Sequence, residues 1–228
     1  MDRTMPSDSQ PIIFVLGSPG SGKGTLCKLA TQRLGSSHHR YCHLSVGDYL
    51  RELSHPEMPS EEKGVEHQII HDYLQDNKLL PADVLIPILK RKINSTPNEK
   101  GTLTTWLIDG FPRNMETALA FEEKVIGKPV KVITLECERA IAERRFLRRG
   151  REKIDDEKRF DKRHNEYVET MKAIREHYAR IMVSAPVDGN LVESLIEFME
   201  VLPPTGNNWG TRNREGRSGD VYSAENER

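Results

Sequence analysis

The patterned part of the chain opens with Ile12-Ile13-Phe14-Val15-Leu16, five consecutive apolar residues that stop at a glycine cluster. A continuous run of that length leaves no polar face and predicts a strand buried on both sides. Tyr41 to Ser45, Trp106-Leu107-Ile108 and Val130 to Leu135 are further short runs of strand type. Between them the apolar spacing changes to steps of three and four. Leu26, Leu29, Ala30 and Leu34 keep it, as do Val65, Ile69, Ile70, Tyr73 and Leu74, and again Leu191, Leu195, Phe198, Met199 and Leu202. Each set gathers its apolar side chains on one face of a helix. The longest helix is predicted over 157–182, where Phe160, His164, Tyr167, Met171, Ile174, Tyr178 and Ile181 step by four and three. That stripe spans only about three heptads, so it predicts one helix laid across a sheet ahead of a coiled-coil seam. Pro87 falls inside a helical stretch at 82–93 and is expected to kink or shorten it. A last strand is expected near Val187. Strands alternating with helices predict βαβ units on a parallel sheet.

Composition trims this picture at both ends. The 228 residues are 36% apolar and 30% charged, with a mean hydropathy of -0.63. The polarity is concentrated at the termini. Residues 203–228 contain no Leu, Ile, Phe or Met, too little apolar surface to offset the entropy of ordering them. A disordered arm at 1–10 and a disordered tail at 203–228 are therefore expected around one folded unit at 11–202. A net charge of -1 gives no global pull towards nucleic acid or an anionic membrane. No apolar run reaches the ~18–20 residues of a membrane span, and MDRTMPSDSQ lacks the basic and apolar regions of a signal peptide. Three scattered cysteines, Cys27, Cys42 and Cys137, are odd in number. They point to reduced thiols and a cytosolic setting, with the nucleus also open, and against a four-cysteine zinc site.

The candidate chemistry begins where the first strand ends. Gly17-Ser18-Pro19-Gly20-Ser21-Gly22-Lys23-Gly24-Thr25 lies between a buried strand and a helix. Glycines let successive backbone N–H groups wrap an anion, the helix N-terminus adds its dipole, and Lys23 can reach the β- and γ-phosphates. Strand, loop, lysine and helix in this order predict a nucleoside triphosphate site. From Arg139 to Arg163 there are eleven Lys/Arg against six Asp/Glu. Alone this reads as a solvated helix face; beside a phosphate loop it supplies cations for phosphoryl transfer. Asp109 ends a buried strand, where a carboxylate is costly without a role; a helix cap is the bland alternative. His67 and His71 lie one helical turn apart without a third ligand, so they are read as a solvated helix face.

The proline in the loop and the Gly-Thr after its lysine resemble the nucleoside monophosphate kinases. Three more segments carry the resemblance: His43-Leu44-Ser45-Val46-Gly47-Asp48-Tyr49-Leu50-Arg51, Asp109-Gly110-Phe111-Pro112-Arg113, and Arg144 to Gly150 followed by Asp155-Asp156 and Lys162-Arg163. The family implies a three-layer α/β/α P-loop fold with a central parallel sheet. It also implies a helical insert at about 45–75 that binds the monophosphate and a short lid at about 149–158. It implies transfer of the ATP γ-phosphate to a nucleoside monophosphate with Mg²⁺, in a monomer, without nucleic-acid or membrane partners.

By the same resemblance Gly17, Pro19, Gly20, Ser21, Gly22, Lys23, Gly24 and Thr25 hold ATP, with Arg145 and Gly189 against its base. Arg51 and Arg113 clamp the acceptor phosphate, Arg149 and Arg163 contact the phosphates being exchanged, and Asp109 helps hold water-ligated Mg²⁺. Ser45, Val46, Lys78, Leu79, Leu80, Gly110, Phe111, Pro112, Thr117 and Lys153 complete the acceptor side. Asp155 and Asp156 latch the lid. Lys153 stands where the family lid carries an arginine. Val46 and Thr117 match neither the Thr and Gln of adenylate kinases nor the Ala and Asn of UMP/CMP kinases. Val46 cannot hydrogen-bond an adenine amino group and Asn114 resembles the UMP/CMP branch, so UMP or CMP is favoured over AMP. A degenerate ATP-binding module is the alternative of another class.

Overall fold

Strands at Ile12–Gly17 (β1), His39–Ser45 (β2), Leu103–Asp109 (β3), Lys131–Glu136 (β4) and Met182–Pro186 (β5) form one parallel sheet in the order β2-β3-β1-β4-β5. The computed structural model describes residues 10–36, 38–55, 65–76, 78–96, 101–126, 128–149 and 156–203. Nearly all of the predicted arm and tail, and the lid positions Lys153 and Asp155, lie outside the described residues. Among the described residues, no helix is long and apolar enough to cross a membrane.

The central strand shows why the sheet has two covered faces. Every residue of β1 is buried, with Phe14 opposite Ile108 of β3 and Val132 of β4. Because side chains alternate along a strand, Ile12, Phe14 and Leu16 enter one core and Ile13 and Val15 the other. Ile13 and Val15 meet Leu26, Cys27 and Ala30 of α1 (Lys23–Arg33) and Leu195 and Phe198 of α8 (Leu191–Glu200). The opposite face is covered by α2 (Val46–Leu53), α3 (Val65–Gln75), α4 (Ala82–Asn94), α5 (Met115–Phe121) and α7 (Glu157–Tyr178). This is the expected three-layer α/β/α P-loop fold. A third, smaller core of Ala142, Phe146 and Phe160 joins α6 (Arg139–Arg149) to α7.

Three expectations are adjusted. The long helix ends at Tyr178 rather than near 182. Ile181 is already committed to the sheet, its carbonyl accepting from Val132 N at 3.0 Å. The strand expected near Val187 ends one residue before it, and Val187 N still donates to Glu136 O at 2.8 Å. Pro87 does not shorten α4, which runs 13 residues through it. Ile86, Ile88 and Leu89 beside it are buried to 1% exposure or less. Burial of three such side chains, at about 2 kcal/mol each, outweighs the roughly 3 kcal/mol cost of an internal proline.

Candidate active site

The phosphate loop is shaped by two glycines in the left-handed region, Gly20 (φ 81) and Gly22 (φ 89). A Cβ on Gly20 would lie 1.9 Å from Ala142 O, so α6 packs directly on the loop and tolerates no side chain there. Gly22 caps α1 without a side-chain hydrogen bond, which leaves the helix N-terminus open to an anion. Lys23 Nζ donates to Gly17 O at 2.7 Å and Ser18 O at 2.9 Å, and lies 3.4 Å from Ser21 Oγ. Burial pulls its pKa down to about 8; Asp109 opposes this, and Arg113 and Arg163 add to it.

Asp109 sits at the end of β3, 6% exposed, where the parallel register brings it beside Ser45 of β2 and Val15 of β1. It caps no helix. Its Oδ2 is 2.5 Å from His43 Nε2, and a Cβ on Gly24 would approach the same oxygen at 3.6 Å. The carboxylate therefore faces the loop from below.

Two cavities open from this floor. The first, about 380 Å³, is walled by the loop from Pro19 to Leu26, Ser45, Asp109, Arg145, Arg149, Leu191 and Ser194. The second, about 610 Å³, is walled by Val46, Leu50, Lys78, Leu79, Leu80, Phe111, Thr117, Asp156 and cationic residues of α7. Gly47, Arg51, Gly110, Arg113 and Arg163 line both, so the cavities meet at three guanidinium groups. A Cβ on Gly47 would stand 3.5 Å from both Arg51 and Arg113 Nη2, which is how two arginines fit side by side. Arg51 pairs with Asp48. Arg113 Nε donates to Gly110 O at 3.1 Å, and desolvation with the Arg51 charge pushes its pKa down. Clustered cations held this way recognise anions.

Two of these arginines, Arg149 and Arg163, are held by an aromatic ring. The guanidinium carbons of Arg149 and Arg163 lie 4.8 and 5.8 Å from the centroid of Phe146, within cation–π range. Arg145 spans to the loop before α8, donating to Val187 O and Gly189 O at 2.7 Å each. Gly189 thus reaches the site through Arg145 and does not itself line these cavities. Gly17 and Pro112 line a third cavity of about 500 Å³, between the loop and α7, that also touches Lys78, Leu79 and Arg113. Asp156 caps α7, accepting from Arg159 N at 2.8 Å.

Sequence reasoning missed four contributors. His43 stood in a quoted motif without a role, and Phe146 was passed over as one apolar residue in a charge run. Leu191 was read only as a helix position, and Ser194 drew no reading at all. His71 keeps a partly solvated side chain, 3.2 Å from Gln75 Nε2, and also reaches the wall of the second cavity. No local spacing separates a helix residue facing water from one facing a cleft; only the packing of α3 against α2 does.

A parallel sheet with a phosphate loop at the end of its central strand, fronted by a doubled anion cleft, defines a nucleotide-binding P-loop kinase architecture. The sequence matches the family model described as adenylate kinase over residues 15–183. It is 36% identical over 169 residues to UMP-CMP kinase 3 of Oryza sativa subsp. japonica, covering 73% of this chain and 72% of that one. It is 37% identical over 158 residues to UMP-CMP kinase 3 of Arabidopsis thaliana, covering 68% and 70%. To the UMP-CMP kinase of Mus musculus it is 30% identical over 184 residues, covering 78% and 89%. The chain belongs to the adenylate kinase family of nucleoside monophosphate kinases.

Proposed function

We propose that this chain transfers the γ-phosphate of Mg·ATP to a pyrimidine nucleoside monophosphate, UMP or CMP. The observation that carries the reading is the shared arginine wall: donor and acceptor cavities meet at Arg51, Arg113 and Arg163. Phosphoryl transfer needs little covalent help from protein; it needs two anions held in line and their spreading charge neutralised. ATP occupies the first cavity with its phosphates on the loop and Lys23, and Arg145 beside its base. The acceptor occupies the second, its phosphate on Arg51 and Arg113. Arg149 and Arg163 bind the group in transit. The acceptor phosphate is its own nucleophile, so no general base is required.

Asp109 and Thr25 fit a magnesium site of the kind that relies on nucleotide and water. Asp109 is a single buried carboxylate facing the loop, and Thr25 adds a hydroxyl on the same cavity wall. Mg²⁺ takes oxygen ligands and is bound through one or two such groups plus substrate phosphates. When bound it neutralises phosphate charge.

The pyrimidine preference rests on the acceptor wall and on the relatives. Val46 offers no hydrogen bond to an adenine amino group. Thr117 Oγ1 is committed to Asn114, 2.8 Å from its Oδ1 and 3.1 Å from its carbonyl. The relatives reported above are named UMP-CMP kinases. The helical insert at 45–75, the lid at 149–158 and the monomeric state belong to the same proposal. A coupled ADP-release assay with Mg·ATP against UMP, CMP, dCMP, AMP and GMP, with Lys23→Ala as control, tests it. Turnover with UMP or CMP well above AMP is expected. AMP on top would make the protein an adenylate kinase with the same machinery. No turnover with any acceptor, alongside intact ATP binding, would overturn the reading in favour of a binding module.

A further inference from the structure

Three side chains from three elements converge under the phosphate loop: Cys27 of α1, His43 of β2 and Asp109 at the end of β3. Their ligand atoms, a sulfur, an imidazole nitrogen and a carboxylate oxygen, all lie within 4.8 Å of one another. Among the described residues no other such group forms. Cys27 is fully buried, and the side chains of His43 and Asp109 are 17% and 8% exposed. Neither Cys27 nor His43 lines any of the three cavities; Asp109 lines the first. The cluster therefore touches the site through one shared carboxylate.

The donor set is not one for magnesium. A hard cation takes oxygen ligands, whereas sulfur with imidazole and carboxylate selects Zn²⁺ and its neighbours. We propose that Cys27, His43 and Asp109 form a three-ligand site for a thiophilic divalent cation of the Zn²⁺ class. Its occupation stops phosphoryl transfer by drawing the Asp109 carboxylate away from the phosphate loop. Tetrahedral Zn²⁺ with bonds of about 2.0–2.3 Å holds its ligand atoms about 3.3–3.8 Å apart. His43 Nε2 and Asp109 Oδ2, now at 2.5 Å, open by roughly 1 Å, and the thiol, within 4.8 Å of both, closes onto the ion. The fourth position is left to water. Cys27 is fully buried between α1 and the sheet, so without the cation it is an ordinary core group. Binding releases the thiol proton to solvent, and the two charges of the cation balance thiolate and carboxylate.

Cation binding stands without the proposed kinase reaction; the inhibition rests on it. The test uses the full chain, stripped of metal and kept reduced with a phosphine. Equilibrium dialysis against Zn²⁺ is expected to show one ion per chain with a Kd of about 1 μM or below. Co²⁺ in its place is expected to give a thiolate-to-metal charge-transfer band. Cys27→Ala should remove the band and weaken Zn²⁺ binding about 100-fold, while the double variant Cys42→Ser, Cys137→Ser keeps both. Cys27→Ser serves if alanine unsettles this packed position, and the cobalt spectrum of the unaltered chain needs no variant. In the coupled assay, free Zn²⁺ near the dialysis Kd should halve turnover of the unaltered chain and spare Cys27→Ala. No bound Zn²⁺, a cobalt spectrum without the thiolate band, or binding indifferent to Cys27→Ala would overturn the site. Binding without inhibition would overturn the inhibitory role. If no acceptor is phosphorylated, the kinase proposal fails while dialysis and spectrum still decide the site.

Discussion

Lys23 is the residue on which the loop's electrostatics converge. Its ammonium is held by Gly17 O and Ser18 O, and burial brings its pKa down to about 8. A triphosphate beside it favours the charged form, so the pKa rises on binding. The sign follows: below about pH 8 the free chain already carries the proton and ATP affinity is flat. Above it, binding must take up a proton and affinity should fall about tenfold per pH unit. Titration calorimetry in buffers of different ionisation heat should show proton uptake at pH 9 and none at pH 6.5. Arg113 offers a second test. Removing one charge-stabilising donor costs about 10²–10³ in kcat, so Arg113→Ala should lose that much, and Arg113→Lys should recover little because an ammonium lacks the bidentate fork. At this scale the sequence was most informative where a residue type and a local motif act together, as at Lys23, Arg51 and Arg113. It was least informative for His43 and Phe146. Their roles are set by a strand register and a helix crossing that no local pattern encodes.

Among the elements, α6 is the most constrained, because one face meets the glycine loop and the other shares a small core with α7. Phe146 and Phe160 pack at 5.5 Å between centroids, and Arg139 reaches Asp161 at 2.5 Å. Phe146→Ala should cost about 3–5 kcal/mol by the usual large-to-small penalty, read as a lower urea midpoint. It should also lower kcat, because Arg149 and Arg163 lose the ring they lie against. Gly20→Ala should weaken ATP binding about tenfold or more, since its Cβ collides with Ala142 O in a left-handed backbone; calorimetry reads it directly. The four strands predicted from apolar runs all formed: β1, β3 and β4 are covered on both faces, while the edge strand β2 is only partly buried and was found by its short apolar run alone. β5 was placed only loosely, since Met182-Val183-Ser184-Ala185-Pro186 is half-covered at the sheet edge and its short run ends in proline. Its register is dictated by β4, which lies elsewhere in the sequence.

For the whole molecule, stability in acid hangs on carboxylates that tie the layers together. Burial pushes the Glu136 carboxyl up, but hydrogen bonds and charge from Arg175, with Ser184 and Thr134, outweigh it and hold the pKa below 4.5. Its contribution is therefore present above the unfolded pKa and is lost as pH falls through the lower, folded value. The urea midpoint should be level from pH 6 to 5 and drop below about 4.5, with a shallower drop in Glu136→Gln. The parallel sheet was legible from the chain, because alternation of strand and helix patterns admits few topologies; the three layers followed from the family resemblance. The meeting of the two cavities was not, because it depends on α2, α7 and the end of β3 arriving at one point.

The division of the core by the sheet has a consequence for how such a protein changes over generations. Val46, Leu50, Leu80, Leu85 and Phe111, which line the second cavity, belong to one core. Leu26, Cys27 and Ala30, which anchor the helix behind the phosphate loop, belong to the other. Mutations that reshape the acceptor pocket are absorbed by repacking on their own side of the sheet. With acceptor and ATP placed as proposed, a lineage can therefore drift from one acceptor base to another while its ATP site stays under unbroken selection.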